Sequence, residues 1–193
     1  MKGRMPRAIV VPSFKYARKL KCLVSSGTQY IDTGIVPTAG TRFVVSFQLV
    51  SPSTANEAIV STGSFSFRYL GANNYFRSNS GNQANFPTTI DASAHHVAEK
   101  SMLGCTIDDT WSVTNTASTP ANPLYLFAHN NAGTAQNFAN VEIDFVKIYE
   151  SDILVRDFIP VLDNDGTPCL FDKVEEKLYY NAGSGIFSYE EVA

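Results

Sequence analysis

The chain has 193 residues and a formal net charge of −3, and 44% of its residues are hydrophobic and 12% aromatic. This composition excludes wholesale disorder, and the length is typical of one domain with its own core. No run approaches the roughly 18 apolar residues of a membrane span. The apolar stretch 8–11 ends at Pro12 and is shorter than the roughly 7–15 residues of a secretory signal. We therefore expect neither membrane insertion nor a secretory leader.

Positive charge is concentrated at the start of the chain. Residues 1–21 hold seven bases and no acid, whereas residues 22–193 hold the other 8 bases and all 18 acids. We interpret 1–21 as a basic arm that anchors the folded domain 22–193, and its bases are Lys2, Arg4, Arg7, Lys15, Arg18, Lys19 and Lys21. The arm favours an acidic partner: nucleic acid, an anionic protein surface or a neighbouring subunit. Nucleic acid is the weakest choice, because only Phe14 and Tyr16 offer rings for base stacking.

The cysteines give no sign of a disulfide framework or a metal site. Cys22, Cys105 and Cys169 are odd in number and form no CxxC pair. We expect buried free thiols in a protein made in a reducing cytoplasm, with no metal and no cofactor.

In chain order, the remaining residues form short runs typical of β-strands. Segment 41–50 is rich in β-branched and aromatic residues, and Val141, Ile143 and Phe145 alternate with polar residues as in a half-buried strand. Segment 73–86 is polar and Asn-rich, which predicts a short strand and a long loop, and 130–138 predicts another loop. Further strands are predicted at 25–35, 58–62, 64–70, 95–100, 102–107, 110–115, 124–129, 169–173 and 177–181.

This pattern fixes the fold class. No segment longer than eight residues has helical apolar spacing, and turn signals recur about every 8–12 residues. Many short strands so arranged predict an all-β protein, an antiparallel β-sandwich of the jelly-roll type, preceded by the extended arm.

Several segments resemble laminin-G-like (concanavalin A-like) jelly-roll domains. They are Tyr30-Ile31-Asp32-Thr33-Gly34-Ile35, His95-His96-Val97-Ala98 and the strand 141–149. The ending, with Asp157-Phe158-Ile159-Pro160, Leu170-Phe171-Asp172-Lys173 and Tyr179-Tyr180-Asn181, is similar to jelly-roll modules in virion and tail-associated proteins of phages of gut bacteria.

The resemblance implies a non-enzymatic virion protein made in the host cytoplasm. It would be a capsid decoration, head-fibre or tail-associated adhesin that docks on other virion proteins through its arm, as a homo-oligomer by analogy. The alternative is a carbohydrate-binding module of a bacterial surface protein. Function depends on sites rather than on the fold, so both readings stay open at this point.

A glycoside hydrolase is the third and weakest reading. β-Glucanases of the same superfamily carry Glu-x-Asp-x-x-Glu on one strand, and here Glu142 and Asp144 match while Lys147 replaces the last acid. Retaining hydrolysis needs two carboxyl groups about 5–5.5 Å apart, and a lysine does not supply the second one in the usual way. We therefore expect no enzymatic activity and no catalytic residue.

Two other polar groups have structural interpretations. His95 and His96 are adjacent in a predicted strand, so their side chains point to opposite faces and do not chelate one metal ion. Residues 163–166, Asp-Asn-Asp-Gly, predict a β-turn, although calcium binding by Asp163 and Asp165 stays open.

Sugar recognition needs aromatic faces for stacking and amides or charged groups for hydroxyls. The candidates for contact with host or mucosal glycans lie in one Asn-rich segment, a second loop and the only tryptophan. They are Tyr75, Phe76, Arg77, Asn79, Asn82, Asn130, Asn131 and Trp111.

Overall fold

The protein is an antiparallel β-sandwich, as predicted. A computed structural model describes residues 15–192. The larger sheet has ten strands: β1 (Arg18–Val24), β3 (Thr41–Leu49), β8 (His96–Ser101), β9 (Gly104–Ile107), β10 (Trp111–Thr114), β14 (Val141–Glu150), β15 (Ile153–Leu162), β16 (Pro168–Asp172), β17 (Lys177–Tyr179) and β18 (Ser188–Glu191). The smaller sheet has eight: β2 (Ile31–Asp32), β4 (Asn56–Thr62), β5 (Phe65–Leu70), β6 (Tyr75–Ser80), β7 (Asn82–Asn85), β11 (Tyr125–Leu126), β12 (His129–Asn131) and β13 (Thr134–Gln136).

The strand order brings distant segments together. The larger sheet runs β10-β9-β8-β3-β14-β1-β15-β16-β17, with β18 also paired to β1. The smaller sheet runs β13-β12-β4-β5-β6-β7, with β11 and β2 attached beside β4. Only the β12–β4 strand pair is parallel among the described residues. Apart from one 3-10 turn, Gly71–Asn73, residues 15–192 contain no helix, and thus none that could cross a membrane.

The core between the sheets is dominated by phenylalanine. Phe47 of the larger sheet meets Phe67 and Phe76 of the smaller sheet at centroid distances of 5.4 and 5.6 Å. All three side chains are fully buried. Edge-to-face ring pairs of this kind stabilise beyond the area that they bury, so this cluster fixes how the sheets face each other.

A β-bulge in β14 changes the predicted inward face of that strand. The pairing with β3 shifts between Ile143 and Phe145, so Asp144 is an extra residue. Val141 and Ile143 are buried as predicted, but beyond the bulge Val146 and Ile148 face the core and Phe145 is only half-buried. The expected alternation through Phe145 was therefore wrong, because an inserted residue moves the next side chain to the other face.

Residues 18–21 of the predicted arm belong to the sandwich. The boundary predicted between residues 21 and 22 falls inside β1, which pairs with β14, β15 and β18. Within this segment Arg18 pairs with Glu191 at 3.0 Å and Lys21 with Glu190 at 2.5 Å, while Lys15, which precedes it, pairs with Glu176. The bases Lys2, Arg4 and Arg7 lie outside the described residues.

Two predicted loops are hairpins. The Asn-rich segment forms β6 and β7, joined at Gly81, whose φ of 60° suits glycine. Residues 129–136 form the β12–β13 hairpin. In 73–86 the predicted short strand is confirmed, and the long loop was wrong because the core-facing positions of β6 include small polar residues, Ser78 and Ser80, which concealed the alternation. The loop predicted at 130–138 was wrong for residues 130–136, which lie in the β12–β13 hairpin.

Candidate functional site

The outward face of the smaller sheet carries arginines, rings and amides. On β6, Tyr75, Arg77 and Asn79 are half-buried, whereas Phe76 and the serines between them are buried. Arg68 of β5 lies directly opposite Arg77. We call this surface the arginine face and define it by Arg68, Tyr75, Arg77, Asn79, Tyr125 and His129.

Arg77 is held in place by its neighbours. Its Nε donates to Asn85 Oδ1 at 2.7 Å and its Nη2 donates to the Tyr75 hydroxyl at 2.8 Å. Arg68 donates from Nε and Nη2 to Ser66 Oγ at 3.1 and 3.0 Å. Each guanidinium is thus oriented by neutral groups, and donors remain for a ligand.

The two arginines lack an acidic partner. Within residues 15–192 no carboxylate forms an ion pair with Arg68 or Arg77, although other arginines of the chain do form such pairs. Burial and the charge of Arg77 lower the pKa of Arg68. Guanidinium stays protonated in proteins, so the pair is a fixed positive charge.

His129 extends the face toward a tyrosine pair. Its Nδ1 lies 2.6 Å from Ser61 Oγ and 3.5 Å from Arg68 Nη2. Burial and the Arg68 charge lower the pKa of His129 to about 4, so the ring is neutral at pH 7. Tyr125 and His129 both pair in register with Ser61, and the Tyr125 ring packs 4.6 Å from that of Tyr30.

The sequence-predicted candidates do not all share this face. Tyr75, Arg77 and Asn79 do. Phe76 is fully buried in the core, and Asn131 is exposed in the β12–β13 hairpin. Trp111 is half-buried against the core on β10 of the larger sheet.

The other two asparagines make hydrogen bonds within the chain. Asn82 Oδ1 accepts from the Thr116 amide at 2.6 Å. Asn130 is fully buried, accepts from the Gly133 amide at 2.7 Å and donates to the Pro123 carbonyl at 2.9 Å. The side-chain oxygen of Asn82 and both side-chain groups of Asn130 are thus engaged within the chain.

Sequence reasoning missed Arg68, Tyr125 and His129. The signal for Arg68 was present, because Phe65, Phe67 and Tyr69 share one face of β5 and the residue between the last two must point the other way. No signal placed Tyr125 beside it, because that contact depends on which strand pairs with β4.

A second group of polar side chains lies on the outward face of the larger sheet. It contains Cys22, Glu142 and Asp144, whose ligand atoms all lie within 4.8 Å of one another, and we call it the bulge cluster. Asp144 Oδ2 accepts from Ser46 Oγ at 2.8 Å and contacts His95 Nε2. Ser46 and Asp144 meet the same ring nitrogen, so this is not the relay of a serine hydrolase, in which they take opposite nitrogens.

The remaining polar candidates have structural partners. His96 is buried, with Nδ1 2.6 Å from Asp108 Oδ2 and Nε2 2.8 Å from the Asp91 carbonyl, so it points away from His95 as expected. Asp163 accepts from the amides of Asp165 and Thr167 at 3.0 and 2.7 Å, and these bonds lower its pKa. The 163–166 segment is therefore a turn held by its first carboxylate.

Comparison with known proteins supports the fold and gives no family. No protein-family model matches the chain, and no curated protein matches its sequence. Its structure is similar to the crystal structure of a protein from Bacteroides ovatus ATCC 8483 for which carbohydrate binding has been suggested. The superposition has a TM-score of 0.63 at 11% identity and covers 91% of this chain and 61% of the other. The chain thus spans less than two thirds of that protein, and the likeness shows the fold alone.

Proposed function

We propose that this protein binds carbohydrate through the arginine face, and that its ligand carries carboxylate or sulfate groups. The observation that carries the proposal is the facing pair Arg68 and Arg77, which no acid of the described chain neutralises. A similar fold in a protein with a suggested carbohydrate-binding role is consistent with it.

The chemistry of the face suits an acidic sugar. Guanidinium offers paired donors that match a carboxylate or two adjacent oxygens. Tyr75 supplies a ring and a hydroxyl beside Arg77, and Asn79 supplies an amide on the same strand face. Hydrogen bonds to charged groups contribute about 1.5–3 kcal/mol each, so two or three of them give the modest affinity of a single glycan site.

The test is a glycan array followed by calorimetry with the isolated protein. We expect binding to oligosaccharides that contain uronate or sulfate and weaker binding to the neutral counterparts. Arg77→Ala should weaken binding at least about tenfold, the equivalent of one charged hydrogen bond. The matched control is Arg42→Ala, because Arg42 also lies over a tyrosine ring, Tyr149, but is paired with Glu99 on the other sheet.

Two results would contradict the proposal. One is an array without any bound glycan. The other is an equal loss of affinity in Arg77→Ala and Arg42→Ala, which would indicate a general effect on the fold.

The virion role implied by the resemblance is a second proposal. What supports it is the concentration of bases in residues 1–21. Because Arg18 and Lys21 pair with Glu191 and Glu190 of the same chain, docking would depend on Lys19 and the bases before residue 15. Deleting residues 1–14 should leave a folded protein that binds glycan and no longer joins the particle. Normal incorporation of that truncation would refute the anchoring role.

A further inference from the structure

The bulge cluster lies on two adjacent strands of the larger sheet. In the β1–β14 pairing Leu23 lies opposite Ile143 and Val24 opposite Glu142. Cys22 is therefore next to the bulged residue Asp144, and Glu142 and Asp144 extend from the same outward face. Three potential ligand atoms, one sulfur and two carboxylate oxygens, meet within 4.8 Å. A bulge that re-aims a side chain is common beside functional sites.

Glu142 is a buried carboxylate whose polar contacts are weak. Its exposed fraction is 9%, it forms no ion pair within residues 15–192, and its hydrogen-bond donor is the Cys22 thiol at 3.8 Å. A thiol is a weak donor, and a carboxylate so buried is costly unless it is neutralised. Lys21, one residue before Cys22 on β1, pairs with Glu190 at 2.5 Å instead. Glu142 thus has one weak hydrogen-bond donor and no ion-pair partner among residues 15–192.

The two carboxylate oxygens of Asp144 differ in their hydrogen bonding. Oδ2 is engaged by Ser46 and His95. Oδ1 is buried and has no hydrogen-bond partner. This arrangement resembles the outer shell of metal sites, where hydrogen bonds to one atom of a ligand orient the other.

We propose that Cys22, Glu142 and Asp144 bind one divalent transition-metal ion of the zinc type, with Ser46 and His95 as positioning residues for Asp144. Calcium and magnesium prefer all-oxygen sites, whereas zinc accepts sulfur with carboxylate oxygen. Binding releases the Cys22 thiol proton to solvent, and the thiolate becomes the sulfur ligand. The ion would join β1 to β14 and offset two of the three negative charges of its ligands.

The test uses the full chain, freed of metal with a chelator. Native mass spectrometry and calorimetry should show one equivalent of Zn²⁺, and Zn²⁺ should raise the Tm. Co²⁺ should give a thiolate-to-metal charge-transfer band, which reports the sulfur ligand directly. Cys22→Ser should abolish that band and weaken Zn²⁺ binding at least about tenfold, and Ser46→Ala should weaken it about tenfold through the outer shell.

The controls separate the site from the fold. Cys169→Ser removes another fully buried thiol of the same sheet and should keep both the band and the affinity. Glu142→Gln removes a ligand without a change of size, and it serves if Cys22→Ser fails to fold. The proposal is overturned if no Zn²⁺ binds. It is also overturned if Glu142→Gln retains full affinity or the cobalt band persists without Cys22.

Discussion

The outward faces of the two sheets leave opposite charges unpaired. On the smaller sheet, Arg68 and Arg77 face each other and no described acid pairs with them. On the larger sheet, Glu142 and Asp144 lie together beside a thiol and no described cation pairs with Glu142. Elsewhere the chain pairs its charges readily, as Arg156 does with Glu175 at 2.8 Å.

The contrast indicates what each face is suited to bind. Unpaired guanidinium at a partly wetted surface costs little and attracts an anion, so the arginine face suits an acidic sugar. Unpaired carboxylate in a buried position is costly, so the bulge cluster calls for a cation or a proton. The same sandwich thus presents unpaired charge of opposite sign on its two outward faces.

Phe47→Ala should have the largest effect, because both faces depend on one core. Phe47 is fully buried and contacts Phe67, Phe76 and His96. Its truncation should lower the free energy of unfolding in urea by about 3–5 kcal/mol. Leu103→Ala, at a site that is 63% exposed, should change it by less than about 0.5 kcal/mol. An unchanged stability in Phe47→Ala would mean that the faces do not share this core.

Lys100→Met should have an intermediate effect of opposite sign. Lys100 is an unpaired cation between the sheets, fully buried, with Nζ donating to Ser78 Oγ at 2.9 Å and no described acid beside it. Burial lowers its pKa from 10.5 to about 8. Methionine removes this buried charge, so the free energy of unfolding at pH 7 should rise by about 2 kcal/mol. This is less than the lowered pKa of Lys100 alone implies, because Ser78 loses its hydrogen-bond donor in the variant.

The pH dependence identifies the cause. The unfolded chain holds the Lys100 proton more tightly than the folded chain, so the penalty is full below pH 8 and disappears as the pH rises toward 10.5. Urea titrations of both proteins should therefore show a difference that narrows between pH 8 and 10.5. A constant difference would assign the effect to packing.

The smallest expected effect concerns His129. Because its pKa is lowered to about 4, the ring on the arginine face stays neutral from pH 8 to pH 5. Affinity for a uronate-containing oligosaccharide, measured by calorimetry, should change less than about twofold over this range. A clear rise in affinity near pH 6 would mean that His129 charges there and acts as a third cation.

The sequence was sufficient for the fold class and for part of the candidate site. Alternating runs such as 64–70 reveal strands and their faces because the side-chain period of a strand is two. That rule places Arg77 with Tyr75 and Asn79, which stand two residues apart. The alternation rule fails at Asp144, because one bulged residue changes which of the following side chains face the core. No feature of the amino-acid sequence signals that bulge.

Contacts between strands that are distant in the sequence could not be predicted, for a different reason. Cys22 meets Glu142 across 120 positions of the chain, and Arg68 meets His129 across 61. Local patterns identify a strand without identifying its partner, since register and order depend on the whole sheet. The bulge cluster therefore could not be predicted from three cysteines without a CxxC pair.

The placement of β1 also governs how the chain reaches its native state. This strand is made early, yet it pairs with β14, β15 and β18, which are translated more than a hundred residues later. Loop closure over such a span slows the search for partners, and an edge left open during that wait is prone to intermolecular association. Because β1 pairs only once β14, β15 and β18 are available, we expect slow refolding. The yield of refolded protein should decline as the protein concentration rises.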